Sequence, residues 1–126
     1  MINTIKEKDT TLVNEVVEFL TDQGYENIKA DCQDYEQPNS FVNKQEGKEF
    51  TPDVTAEKNG RRYYFELGTK TRDIDELKTK WKLLDTMAKI KKMGFRVITM
   101  RGHIQFSRDL MRQLGFSPKR LVRIDA

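Results

Sequence analysis

Cysteine and histidine occur once each in the 126 residues, as Cys32 and His103. One thiol cannot close an internal disulfide, and one thiol with one imidazole falls short of the ligand set of a Cys/His zinc centre. Long apolar runs are missing too: nothing approaches the roughly 18 residues that a spanning helix requires. The opening Met1-Ile2-Asn3-Thr4-Ile5-Lys6 has one lysine and no apolar block behind it, unlike a secretory leader. The expectation is a cytoplasmic protein with no membrane partner. Its length suits a single domain over residues 1–126, and 37% hydrophobic with 34% charged residues is enough to close one modest core.

Charge is present in quantity but unevenly placed. Residues 1–60 carry 6 Lys+Arg against 13 Asp+Glu, a net −7, whereas residues 61–126 carry 17 against 7, a net +10. Such a division suggests a surface for a polyanion beside a cluster of acids. The competing reading is that the lysines only solvate helices.

Apolar spacing over residues 11–20 predicts a helix stopped at Gly24, followed by a weaker strand over residues 25–32. Residues 33–50 are polar and aperiodic, a long loop. Two strand-like runs, 51–57 and 61–67, flank Lys58-Asn59-Gly60, and Asn-Gly is the strongest short hairpin signal because both residues accept positive φ. Asp73 then reads as the N-cap of a long helix, with Glu76 completing a capping box. The buried stripe of that helix is Ile74, Leu77, Trp81, Leu84 and Ala88, with Lys78, Lys82, Lys89 and Lys92 opposite and Gly94 as its stop. A strand over 95–100, a helix over 107–114 and an edge strand over 121–124 complete the order α-β-β-β-α-β-α-β, an α/β protein with a hairpin-bearing mixed sheet.

A two-residue turn at Asn59-Gly60 pairs Lys58 with Arg61 and, counting back, Asp53 with Glu66. Val54, Ala56, Tyr63 and Phe65 then take one face, and the two acids stand opposite each other on the other face. Facing carboxylates repel unless a positive charge lies between them, and a divalent cation with hard oxygen ligands meets that need. Along the second strand Glu66, Gly68 and Lys70 point to one side, and a lysine there can stabilise charge on a phosphate.

Pro52-Asp53, Glu66 across the hairpin and a nearby lysine resemble the PD-(D/E)xK nucleases. The element order over residues 11–100 is similar to the αβββαβ core of their restriction-endonuclease-like fold. The resemblance implies Mg²⁺- or Mn²⁺-dependent hydrolysis of phosphodiester bonds in nucleic acid, with DNA the expected substrate. It also implies a metal held by Asp53, Glu66 and the Leu67 carbonyl, and a catalytic role for Lys70. The family's lysine stands two positions after the second acid, where this chain has Gly68; Lys70 is the nearest substitute, with Lys78 and Lys82 next. Many members add an acid from the first helix, a part open here to Glu15 or Glu18.

Lys78, Lys82 and Lys89 form the expected nucleic-acid-binding face. A chain this small covers little duplex, so double-strand cutting implies a homodimer. Two other classes stay open: a nuclease-fold module with weakened catalysis that binds nucleic acid or a protein partner, favoured by Gly68, and an interaction protein whose acidic half meets the basic half of a second copy. Trp81 is expected in the core, Cys32 as a small buried hydrophobe and His103 in a turn, while Tyr35 and Phe41 could stack on a base or simply cross the surface.

Overall fold

The computed structural model describes residues 10–126. Helix α1 (Thr10–Asp22) is followed by β1 (Glu26–Ala30), the short strands β2 (Phe41–Asn43) and β3 (Lys48–Phe50), and the hairpin β4 (Val54–Lys58) and β5 (Arg61–Leu67). Helix α2 (Ile74–Lys91), β6 (Gly94–Thr99), α3 (Ile104–Gln113) and, after one 3₁₀ turn, β7 (Leu121–Arg123) complete the chain. Five strands form one mixed sheet in the order β1-β4-β5-β6-β7, antiparallel across β1-β4 and β4-β5 and parallel across β5-β6 and β6-β7. Among the described residues no helix is long and apolar enough to cross a membrane.

The hairpin register follows from its turn. Asn59 at φ 54° and Gly60 at φ 78° take the left-handed conformations of a type I′ turn. The ladder then pairs Lys58 with Arg61 and runs to Val54 with Phe65. Because side chains alternate across a strand, that register sorts the sheet into two faces. On one, Val54, Ala56, Phe65, Leu67, Ile98 and Met100 meet the i, i+3, i+7 stripe Val13, Val16 and Leu20 of α1. On the other, Tyr64, Phe95 and Val97 meet Trp81, Leu84 and Ala88 of α2 and Leu110 and Met111 of α3.

Five expectations need correction. The polar stretch 33–50 is not all loop, because β2 and β3 pair Phe41 with Phe50 in a two-stranded sheet of their own. That segment is too short and too polar to show a period, and Phe41 packs edge-to-face on Tyr64 at 5.7 Å. Helix α2 ends at Lys91 and is capped by Lys92, left-handed at φ 58°, and Gly94 opens β6. Glycine is required at 94 by crowding, since a Cβ there would lie 2.4 Å from the Tyr63 ring. Helix α3 starts at Ile104, three residues before the expected Ser107. Finally, Asp73 precedes α2 but its side chain makes no capping hydrogen bond, and Ile74 is exposed.

Candidate functional site

The ladder stops at Val54–Phe65, and one step beyond it Asp53 faces Glu66 as the register requires. There the side chains take over from the backbone. The Asp53 N–H donates to Glu66 Oε2 at 2.8 Å, and the Leu67 N–H donates to Asp53 Oδ2 at 2.8 Å. Each acid thereby binds the other's strand, and the mouth of the hairpin is closed by two charge-assisted bonds. The bracket occupies only one oxygen of each carboxylate.

The other two oxygens converge on Lys80. Its Nζ lies 3.1 Å from Asp53 Oδ1 and 3.2 Å from Glu66 Oε1. Trp81 Nε1–H also donates to Glu66 Oε1, at 3.2 Å. The group is almost closed to water: Glu66 is 0% exposed, Asp53 5%, and the Lys80 side chain 15%. Two carboxylates and one ammonium leave an excess negative charge when all are ionised, which a buried site tolerates poorly. Burial first, and the Asp53 charge second, push the Glu66 carboxyl up to about 7, although Lys80 and the Asp53 amide pull the other way. Burial works against the charge on Lys80, but the Glu66 and Asp53 carboxylates outweigh it and hold the ammonium above the ordinary lysine range. Lys80 is therefore a permanent cation at neutral pH, suited to stabilising negative charge rather than to accepting a proton.

Lys80 was missed in favour of Lys70, Lys78 and Lys82, and its signal lay in the helix period. It follows Leu77 by three residues and precedes Leu84 by four, so it falls inside the apolar stripe of α2, where a lysine is anomalous. Lys78 and Lys82 lie off that stripe, and Lys82 is exposed. Lys89 is also exposed and pairs with Asp85 at 3.1 Å. Lys70 is exposed on the loop after β5, and its backbone N–H donates to His103 Nδ1 at 3.0 Å. The structure brings Lys80 and not Lys70 to the two acids, and Lys80 alone among the described lysines bridges both.

Position 68 has no room for a side chain. A Cβ at 68 would lie 2.1 Å from Ser107 Oγ and 3.0 Å from Val97 Cγ1. Buried Ser107 fills that space, donating to the Gly68 carbonyl at 2.7 Å and lying 3.0 Å from Thr99 Oγ1. The ammonium arrives instead from the facing helix. Glu15 and Glu18 are exposed on α1, which packs on the opposite face of the sheet, so neither joins the acids. Leu67 contributes its N–H to Asp53, and its side chain belongs to the α1 core. Among the described residues no group of three or more His, Cys, Asp or Glu side chains is arranged to hold a metal; the acids here number two.

The chain matches no protein-family model and no curated protein.

Proposed function

We propose that the Asp53–Glu66–Lys80 group is the active site of a small divalent-metal-dependent nuclease with a restriction-endonuclease-like core, acting on nucleic acid, with DNA the favoured substrate. The observation that carries this reading is one ammonium bridging two carboxylates from adjacent strands at 3.1 and 3.2 Å. Asp53 Oδ1 and Glu66 Oε1 are hard oxygens that converge on the position held by the Lys80 ammonium, and with Lys80 displaced to one side this donor set would suit Mg²⁺ or Mn²⁺ over zinc. These two residues would hold the ion, which when bound supplies Lewis acidity and a bound water of lowered pKa. The protein contributes the rest. The backbone bracket fixes both acids, Trp81 orients Glu66, and Lys80 keeps a positive charge beside the position of the phosphate. Cutting of both strands would engage a dimer.

The decisive experiment combines two readouts on the full chain. Trp81 is the sole tryptophan and touches Glu66, so its fluorescence should respond to Mn²⁺. Oligonucleotide hydrolysis should depend on the ion and vanish in Asp53→Asn and Glu66→Gln. Lys80→Arg, which keeps the charge and the fold, should still bind Mn²⁺ but cut far more slowly.

A second reading rests on a specific observation: each of the four carboxylate oxygens already has a protein partner. On that reading the group is a self-neutralised brace, and the fold serves as a binding module. A silent Trp81 signal through millimolar Mn²⁺, with nucleic-acid binding intact, would select it.

A further inference from the structure

An ammonium is an imperfect partner for two buried carboxylates. With all three groups ionised, Asp53, Glu66 and Lys80 keep one negative charge in excess, and burial makes that excess costly. A divalent cation in place of the ammonium would cancel it. The two oxygens that meet Lys80 are Asp53 Oδ1 and Glu66 Oε1, while Oδ2 and Oε2 are tied to the Leu67 and Asp53 N–H groups. Withdrawal of the ammonium therefore leaves both acids aimed at the same position, held by backbone bonds in which it takes no part.

Lys80 is also the member of the group that can move. Its side chain is 15% exposed, against 8% for Asp53 and 0% for Glu66, so water meets the group at the lysine. The acids are bracketed to each other's strands, whereas the ammonium is carried on a flexible four-carbon stem from α2. A second anionic position lies on the same helix. Glu76 precedes Lys80 by four residues, the spacing and order at which glutamate and lysine attract on a helix surface. Glu76 meets Lys48 at 3.7 Å through side chains 38% and 53% exposed, a contact weak enough to be shared. Around it Glu46, Asp73 and Asp75 line an acid-rich depression that Thr79, the residue before Lys80, also lines.

We infer that Lys80 is the resident cation of the acid pair and that a divalent ion binds there by displacing it, so that the ion both fills the acids and frees the ammonium. In the closed arrangement the charge of Lys80 is taken up by its own carboxylates. Released, it stands beside the ion and can face an oxyanion. A phosphate that arrives without metal finds neither an ion nor an available ammonium at the acids. The inference deepens the nuclease reading and rests on its ion site, but not on cleavage.

The experiment titrates the full chain with Mg²⁺ and follows two proton signals by NMR: the Lys80 ammonium, assigned by its loss in Lys80→Arg, and the Trp81 indole N–H, which reports on Glu66. Without metal the buried ammonium should give a signal protected from exchange with water. On titration the Trp81 signal should shift to saturation, and the protected ammonium signal should disappear with the same midpoint. A saturating shift at Trp81 with the Lys80 signal unmoved would overturn the inference and leave the ion site standing. Lys80→Met, uncharged and of similar length, should bind Mg²⁺ roughly tenfold or more tightly than wild type, because no internal cation competes. That comparison is made at about pH 8.5, to limit competition from protons. Equal or weaker binding by a folded Lys80→Met would overturn the inference too, and if that variant does not fold the wild-type signals decide alone. No Mg²⁺ binding by wild type would also overturn it, since Lys80 would then be a fixed plug. Cleavage is scored separately. Displacement of Lys80 without hydrolysis of any oligonucleotide sinks only the nuclease reading, and metal-dependent hydrolysis with Lys80 still on the acids sinks only this one.

Discussion

The two faces of the central sheet are made by alternate residues of the same strands, yet they are built on different principles. Toward α1, Val54, Ala56, Phe65 and Leu67 meet Val13, Val16 and Leu20 in an entirely apolar layer. Toward α2 and α3 the layer is apolar only in part. Asp53, Glu66, Asp85, Thr99 and Ser107, the buried polar and charged residues of the described chain, all lie on that side. A fold that closes its first face with hydrocarbon has no need of ions in its second. Buried ion pairs contribute less to stability than apolar residues of similar volume, so their confinement to one face sets that face apart as the candidate site.

The largest difference between the faces should appear on deleting Lys80. Lys80→Ala leaves two buried carboxylates without their cation, at a cost of about 3–5 kcal/mol. Leu20→Ala on the opposite face leaves a cavity and costs about 2–5 kcal/mol. Similar losses at neutral pH would have different origins, and acid separates them. Urea unfolding at pH 5 should show Lys80→Ala recovering much of its deficit as Glu66 takes up a proton, while Leu20→Ala keeps its full deficit. A cost below about 1 kcal/mol for Lys80→Ala would mean that the charges are hydrated and that the contrast between the faces is false.

Next in size is the pH dependence of the unsubstituted protein. The Glu66 carboxyl is raised from 4.5 to about 7 by burial and by Asp53, so the folded state binds that proton more tightly than the unfolded chain does. Its contribution is fully present below about pH 4.5 and is lost as the pH climbs through 7, a change of up to about 3 kcal/mol at 1.36 kcal/mol per pH unit. Glu66→Gln should flatten that slope while leaving the rest of the profile in place. The same proton competes with a divalent ion, so Mn²⁺ affinity read through Trp81 should rise across the same window. A flat difference between wild type and Glu66→Gln would show that Glu66 titrates as an ordinary acid.

A smaller effect tests how tightly the polar face is packed. Gly68→Ala puts a methyl group 2.1 Å from Ser107 Oγ, and overpacking of that kind costs about 1–3 kcal/mol. Adding Ser107→Gly removes the obstructing side chain and should recover part of the loss. No recovery would mean that Val97, 3.0 Å from the same position, is the true obstacle.

These contacts also separate what was legible in the sequence from what was not. The Asp53–Glu66 pair could be read because a two-residue turn fixes every later pair in a ladder, so Asn59-Gly60 set the alignment from six residues away. Lys80 was legible in principle, as a lysine inside an apolar stripe, but choosing the lysine by its distance along the strand obscured it. Gly68 could not be interpreted from its neighbours, since the group that excludes a side chain there is Ser107, 39 residues later. The β2–β3 pair was hidden for a similar reason: what stabilises it is the contact of Phe41 with Tyr64 and Lys91, not any period of its own.

The smallest predicted effect lies at the start of α2, where a local pattern was readable and its meaning was not. Asp73 with Glu76 has the spacing of a capping box, and loss of a true cap costs about 0.5–2 kcal/mol. In the structure the Asp73 side chain caps nothing; its own N–H donates to Thr71 Oγ1 at 3.2 Å, and only its carbonyl accepts from the helix, from Leu77 N–H at 3.2 Å. Both of those bonds use backbone atoms that alanine retains. The carboxylate still gains from the helix dipole, but it stands in a depression with Glu46, Asp75 and Glu76, whose like charges, only partly offset by Lys48, oppose it. Asp73→Ala should therefore change stability by less than about 0.5 kcal/mol, the range of an ordinary surface substitution. A loss above 1 kcal/mol in urea unfolding would mean that Asp73 caps the helix in solution after all, and that the N-terminal turn of α2, one helical turn from Lys80, is held more firmly than its contacts indicate.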